Sequence, residues 1–206
     1  MRKCAILSMD SLADFEAYDA LIDQPMLALG WQTELVSWRN SAVNWSDYDV
    51  VVIRSPWDYQ DDMASFVKVL ESIEQSSARL ENSLAVVQWN INKIYLTQLE
   101  ADGVTIVPTL WPETFNADNL AGYFSHFSTE QMVLKPRVSA NADNTFWLTQ
   151  DNYQNKVAEL NTAFAHRELM VQPFMADICQ EGEFSLFYFN GVFSHAILKT
   201  PAKGDF

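Results

Sequence analysis

Positive charge is scarce in this chain. Thirteen lysines and arginines stand against 27 aspartates and glutamates in 206 residues, a formal net charge of −14. That balance gives no basic footprint, so nucleic acid is not an expected partner. Glycine and proline are few, 6 and 7 residues, while 49% of the chain is apolar, which excludes a low-complexity or disordered chain. There are only two cysteines, Cys4 and Cys179. They lie too far apart for metal-ligand spacing and are expected to be reduced packing thiols of a cytoplasmic protein. No run approaches the ~18 consecutive apolar residues of a membrane span. The opening MRKCAILSMD reads as a first strand rather than a signal peptide. HExxH, GxSxG, Walker-A and GxGxxG patterns are all missing, which argues against the corresponding hydrolases, NTPases and Rossmann enzymes. His126, His166 and His195 lack ligand spacing and read as packed or surface residues.

Short apolar runs dominate the first half. CAIL (4–7), TELVSW (33–38), VVVI (50–53), LAVV (84–87) and VTIV (104–107) are expected to be buried strands. Between them, DDMASFVKVLESIEQSSARL repeats Met63, Phe66, Val67, Leu70 and Ile73 at helical spacing, with Asp61 and Asp62 at its start. DFEAYDALIDQPMLALG predicts a helix closed by Gly30 and kinked or split at Pro25. This alternation to about residue 108 predicts an open α/β layer.

After PTLWPET the texture changes. A helix near 117–125 and strand QMVLKP (131–136) precede a polar loop, RVSANADN. Strand TFWL (145–148), a helix near 151–166 and strand ELMVQPF (168–174) follow, then a loop MADICQEGE. Asn190-Gly191 between FSLFYFN and VFSHAILK predicts a hairpin.

Four segments carry candidate chemistry, each with a plain structural alternative. Lys135 ends a strand before Pro136 and a polar loop, where it can reach a phosphate or lie as a snorkelling surface lysine. In VQPFM, Pro173 offers a carbonyl and Met175 an N–H, the pair an adenine edge requires, and Glu183 can accept from ribose. The alternative is an ordinary strand connection. In WNINKIYL, Asn90 or Asn92 is a candidate helix cap and Lys93 falls in the first turn, where it opposes the macrodipole and wants an anion, or is simply solvated. Arg54 in IRSPWDY lies at the carboxyl end of a buried strand, the ligand-binding edge of open α/β sheets. It pairs there either with a substrate carboxylate, walled by Trp57 and Tyr59, or internally with Asp58.

The order of these segments resembles the ATP-grasp superfamily, and within it the prokaryotic glutathione synthetase-like carboxylate–amine ligases. RSPWDY and WNINKIYL resemble a group of small bacterial ATP-grasp proteins that includes a cyclo-ligase-type enzyme. The resemblance implies an N-terminal open α/β (pre-ATP-grasp) domain over 1–110, a lid subdomain over 111–171 and the start of a third subdomain over 172–206. It implies ATP and Mg²⁺ as cofactors, with Lys93 and Lys135 on the phosphates. Gln172, Pro173, Phe174 and Met175 would form the adenine hinge, Glu183 the ribose ligand, and Lys199 a basic residue near phosphates or substrate. Arg54 is then the candidate for substrate recognition. The implied reaction is ATP-dependent ligation of carboxylate and amine or thiol substrates through an acyl phosphate. Relatives continue past a strand like AILKTPAKGDF into the Mg²⁺ ligands, so the expectation is a C-terminally truncated chain that at most binds nucleotide. Exposed apolar surface on an incomplete subdomain would favour a homodimer. The rival readings are a non-catalytic nucleotide-binding or dimerisation module and an unrelated α/β binding protein.

Overall fold

The computed structural model describes residues 1–200, so the expectation attached to the closing PAKGDF lies outside the described residues. CAIL forms the middle of strand β1 (Arg2–Ser8), where Cys4, Ala5, Ile6 and Leu7 are all buried. β1 lies between β2 (Trp31–Ser37) and β3 (Val50–Ser55), with β4 (Arg79–Glu81) beyond β3. All three pairings are parallel, with Ile6 opposite Leu35 on one side and Val52 on the other. The order β2-β1-β3-β4 reverses the direction in which strands are added between β1 and β3, and so puts the topological switch at the carboxyl ends of these two parallel strands.

Helix α1 (Asp23–Ala28) connects β1 to β2. Pro25 falls in its first turn, where its missing N–H costs nothing, so the helix is short rather than kinked. Gly30 closes it at φ +82°. Helix α2 (Met63–Glu74) connects β3 to β4, and the Asp62 side chain caps it by accepting the Ser65 N–H at 3.1 Å. Its buried stripe, Phe66, Leu70 and Ile73, packs on Leu7, Val51 and Leu80 of the sheet. Ile73→Val removes one fully buried methylene from this interface and is expected to cost about 1 kcal/mol. A denaturant midpoint lowered at unchanged m-value would show it; an unshifted midpoint would mean the stripe is loosely packed.

Two expected strands are not strands. LAVV opens helix α3 (Leu84–Asn90), and the fourth strand is the preceding RLE. Leu84, Val87 and Ile91 pack against the first core from one helical face, and a helix satisfies the backbone where no neighbouring strand is left to pair. VTIV, after helix α4 (Tyr95–Ala101), joins no ladder. The chain passes there from the first sheet to the second, and its first pairing is an isolated bridge between Leu110 and Val171.

The second sheet is antiparallel, in the order β6-β5-β7, from β5 (Gln131–Pro136), β6 (Phe146–Thr149) and β7 (Leu169–Pro173). Helices α5 (Leu120–Phe127) and α6 (Tyr153–Ala163) cover one face. Strand alternation sends Met132, Leu134, Leu148, Leu169 and Val171 into a core with Leu120, Phe124 and Leu160. The same alternation turns Val133, Lys135, Gln172 and Phe174 to the other face.

The expected loop after β7 contains a short helix, α7 (Ala176–Gln180). The hairpin is β8 (Glu183–Phe189) with β9 (Val192–Lys199), turning through Asn190 at φ 50° and Gly191 at φ 77°. Two positive φ values make the primed turn that Asn-Gly favours. Phe184, Leu186, Phe189 and Val192 are exposed on it.

Candidate functional site

The uncovered face of the second sheet, the loop after β5, α7 and the hairpin enclose a cleft of about 980 Å³. Lys93, Lys135, Gln172, Pro173, Phe174, Met175, Glu183 and Lys199 all line it. Lys135 is brought there by register. It faces Met170 on β7, two residues from Gln172, on the face opposite the core. Burial pulls its pKa down, and nearby Glu183 works against that shift.

Lys93 arrives from the link between α3 and α4. Asn90 is the last residue of α3 rather than a cap, and Lys93 precedes α4 instead of sitting in its first turn. The helix-dipole argument therefore does not hold. Asn92 does cap locally, its Oδ1 accepting the Ile94 N–H at 3.0 Å. The Lys93 N–H donates to the Arg137 carbonyl at 2.8 Å, and its Nζ donates to the Ser139 carbonyl at 2.9 Å and the Ser139 Oγ at 3.0 Å. Burial and then the charge of Lys135 push the Lys93 pKa down to about 8. Two partly desolvated cations in one cleft call for an anion.

The edge of β7 supplies a second feature. Val171 bonds outward to Leu110 through both its N–H and its carbonyl, while the Phe174 N–H turns inward to the Gln131 carbonyl at 3.0 Å. By alternation the Pro173 carbonyl and the Met175 N–H point outward. Proline has no N–H of its own, so this edge presents an acceptor and then a donor. The Met175 N–H has no hydrogen-bond partner among the described residues. Phe174 stacks on Trp147 at 4.6 Å and 11°.

Arg54 is not in the cleft. Its Nε pairs with Asp19 Oδ1 at 3.0 Å, and Asp19, buried, also accepts from Ser55 Oγ. The alternative partner, Asp58, is instead held by Arg39 Nε at 2.8 Å and Trp38 Nε1 at 2.7 Å. Asp19 was missed because it is 35 residues from Arg54 in sequence.

Arg137 was also missed. It is buried, and its Nε donates to the Leu169 carbonyl at 3.1 Å. Its Nη2 donates to the carbonyls of Trp111 at 2.7 Å and Pro112 at 3.1 Å. Glu168, with which it pairs at 3.4 Å, was the one available signal: an acid entering the strand that β5 would meet.

The loop after Arg137 has no glycine, yet Asn141, Ala142 and Asn144 adopt φ 53°, 57° and 50°. Asparagine tolerates that region; Ala142 is strained there. Cys4 is a buried thiol with its pKa raised by burial, whereas Cys179 is exposed on α7 and lines the cleft rather than packing a core. Among the described residues no cluster of three or more His, Cys, Asp or Glu side chains exists to hold a metal, and Glu183 is the sole carboxylate on the cleft. These residues do not by themselves fit a Mg²⁺ site. No described helix is long and apolar enough to cross a membrane.

A parallel α/β sheet, followed by an antiparallel sheet and a hairpin around a lysine-lined cleft, is an ATP-grasp-like fold matching part of solved ATP-grasp structures. The chain is related to D-cycloserine synthetase DcsG. Residues 4–82 match the family described as D-cycloserine synthetase DcsG, N-terminal domain. The cycloserine biosynthesis protein DcsG of Streptomyces lavendulae is 30% identical over 181 residues, 83% of this chain and 58% of that protein. The chain thus spans less than two thirds of that curated relative. The crystal structure of D-cycloserine synthetase DcsG superposes with a TM-score of 0.84 at 24% identity, covering 96% of this chain and 68% of that one. A RimK domain ATP-grasp protein from Sphaerobacter thermophilus gives 0.63 at 15% identity over 84% of this chain and 64% of its own. The ATP-grasp ligase PsnB, solved with Mg and ADP, gives 0.54 at 12% identity over 84% of this chain and 64% of its own.

Proposed function

We propose that the cleft binds ATP, and that it serves an ATP-dependent ligase that activates a carboxylate as an acyl phosphate for attack by an amine or thiol. The observation that carries this is one cleft holding two partly desolvated lysines, Lys93 and Lys135, together with the acceptor–donor edge of Pro173 and Met175. Polyphosphate satisfies the lysines, adenine satisfies the edge, and Phe174 offers an aromatic face to the base. Glu183 takes the ribose. Lys199, at the end of β9, stands on the same cleft as a third cation for phosphates or substrate.

Phosphoryl transfer asks the protein mainly for positioning and charge neutralisation, which such lysines supply. Mg²⁺ would neutralise the terminal phosphates, and the described residues provide no ligand set for it. Arg54 keeps its Nη groups without a partner among the described residues while Nε holds Asp19, which leaves them for a substrate carboxylate. We place the pre-grasp unit at 1–110, the lid at 111–171 and the third subdomain from 172.

The test is calorimetry of the chain with ATP, alongside a thermal shift. Saturable binding with a raised Tm is expected. Neither signal at millimolar ATP would overturn the reading of this cleft as a nucleotide site. The lack of a metal-ligand cluster among the described residues favours a second reading, nucleotide binding without turnover, for this chain alone. Phosphate release with a carboxylate and amine pair, abolished by Lys93→Ala, would rule that second reading out.

A further inference from the structure

We propose that Ser55 and Asp19 are positioning residues for Arg54. Ser55 occupies one oxygen of Asp19, so Asp19 grips the guanidinium through Nε alone and leaves both Nη groups open as a fork for a substrate carboxylate. This deepens the ligase reading and rests on its assignment of Arg54 to that carboxylate.

Three polar side chains, Ser8, Ser55 and Asp19, are buried around the carboxyl ends of β1 and β3. Buried polar groups cost free energy unless they are paired. A break in strand register brings these together. β1 and β3 run in step from Cys4 opposite Val50 to Leu7 opposite Ile53, and the next pair is Ser8 opposite Ser55. Arg54 is therefore the extra residue of a bulge, a device that re-aims a side chain at the end of a ladder. Asp19 comes from the turn Asp19–Ile22, which follows β1.

Proton counting fixes the direction of each bond. Asp19, paired with a guanidinium, only accepts. Ser55 Oγ bonds to Asp19 Oδ2 and lies 3.1 Å from Ser8 Oγ. Its one proton goes to the carboxylate, so it accepts from Ser8. Asp19 Oδ1 takes the Arg54 Nε–H at 3.0 Å. Both carboxylate oxygens are then committed.

An arginine and a carboxylate left to themselves close as two parallel N–H···O bonds. That closure needs both oxygens of Asp19, and Ser55 has taken one. The Asp19 side chain is 8% exposed and that of Arg54 47%. The carboxylate is thus fixed inside while the outer end of the guanidinium reaches solvent. Neither Nη has a partner among the described residues. A planar anion with two oxygens matches that open fork; a spherical one does not.

The experiment follows the side-chain signals of Arg54 by NMR in the 206-residue chain with isotope-labelled arginine nitrogens, assigned by their loss in Arg54→Lys. Sodium acetate, a simple carboxylate, replaces sodium chloride at constant ionic strength, so screening does not change. In wild type the Nε–H should be bonded from the start, and the Nη–H signals should shift saturably with acetate. Ser55→Ala frees Asp19 Oδ2 to close on an Nη. Acetate affinity should then fall about tenfold, the scale of one charge-assisted hydrogen bond, with no matching loss of Tm. Ser55→Thr keeps the hydroxyl and should keep the affinity. Ser55→Cys, a weak donor, should lie between, and it covers the case in which Ser55→Ala misfolds. Adding Asp19→Asn to Ser55→Ala should restore binding, because asparagine still accepts from Nε and has no second oxygen to close with. Equal affinity in wild type and Ser55→Ala overturns the positioning role and leaves Arg54 as the carboxylate site. A loss that Asp19→Asn does not restore overturns it too, since the damage is then structural. Wild-type Arg54 signals that ignore acetate remove Arg54 from substrate recognition, and the positioning role with it.

Discussion

Replacing Arg137 with alanine should lower the unfolding free energy by about 3–5 kcal/mol, because it strips a buried charged donor from three backbone carbonyls at once. The buried guanidinium donates to three carbonyls, those of Leu169, Trp111 and Pro112. It joins the end of β5, the start of β7 and the segment that crosses between the two sheets. Alanine would leave these carbonyls without donors, and each such loss carries a desolvation penalty of about 1–3 kcal/mol where water cannot replace the donor. Lysine should recover less than half of the loss, because a single ammonium cannot span carbonyls that a planar fork reaches together. Chemical denaturation of the two variants checks this. A cost near or below ~1 kcal/mol for alanine would mean that water takes over the carbonyls and that the clasp is not structural. The effect should also reach the cleft, because the Arg137 carbonyl fixes the Lys93 N–H at 2.8 Å.

Arg137 illustrates where sequence reading stops. Its partners are backbone carbonyls from residues 25 to 32 positions away, and carbonyls have no sequence signature. Ser55 was invisible because its meaning depends on Asp19, 36 residues earlier. Arg54 was placed on the correct strand end, but the internal partner weighed for it was the wrong acid, because Asp58 stood four residues away while Asp19 lay in the link between β1 and α1. LAVV failed differently. Four apolar residues do not distinguish a buried strand from a helix, and the decisive fact was whether a neighbouring strand existed to pair with.

By contrast, the strand QMVLKP and the Asn-Gly turn are local features, and both formed as read. Alternation also put Lys135 and Gln172 on one face, although only the register set them close together. The order of motifs along the chain led to the ATP-grasp-like fold more directly than any single motif did. The lysine at the head of α4 entered for a mistaken reason, the macrodipole. Burial and Lys135 are the physical grounds for an anion there.

Lys135→Ala should weaken ATP binding by about 1.5–3 kcal/mol, or roughly 10- to 150-fold, the range for hydrogen bonds to charged groups. Its neighbour adds a pH dependence with a definite sign. Lys93, lowered from 10.5 to about 8, is protonated in the free protein below pH 8 and loses its charge as pH rises through 8. Above that pH, ATP must draw a proton onto Lys93 as it binds, so affinity falls as pH rises. ATP's own last ionisation adds negative charge as pH rises, which would strengthen attraction to the lysines, so it cannot mimic the trend. Folding stability moves the opposite way. Between about 8 and 10.5 the unfolded chain holds the Lys93 proton and the folded chain does not, so this group's contribution to stability rises with pH across that window. Calorimetry at pH 7, 8 and 9 in two buffers of different ionisation enthalpy should show proton uptake on ATP binding near pH 8, and Lys93→Met should abolish it. Affinity unchanged from pH 7 to 9 with no proton uptake would take Lys93 out of the site. Unchanged affinity in Lys135→Ala would do the same for Lys135, and the loss of both would leave the cleft with no reason to hold a phosphate.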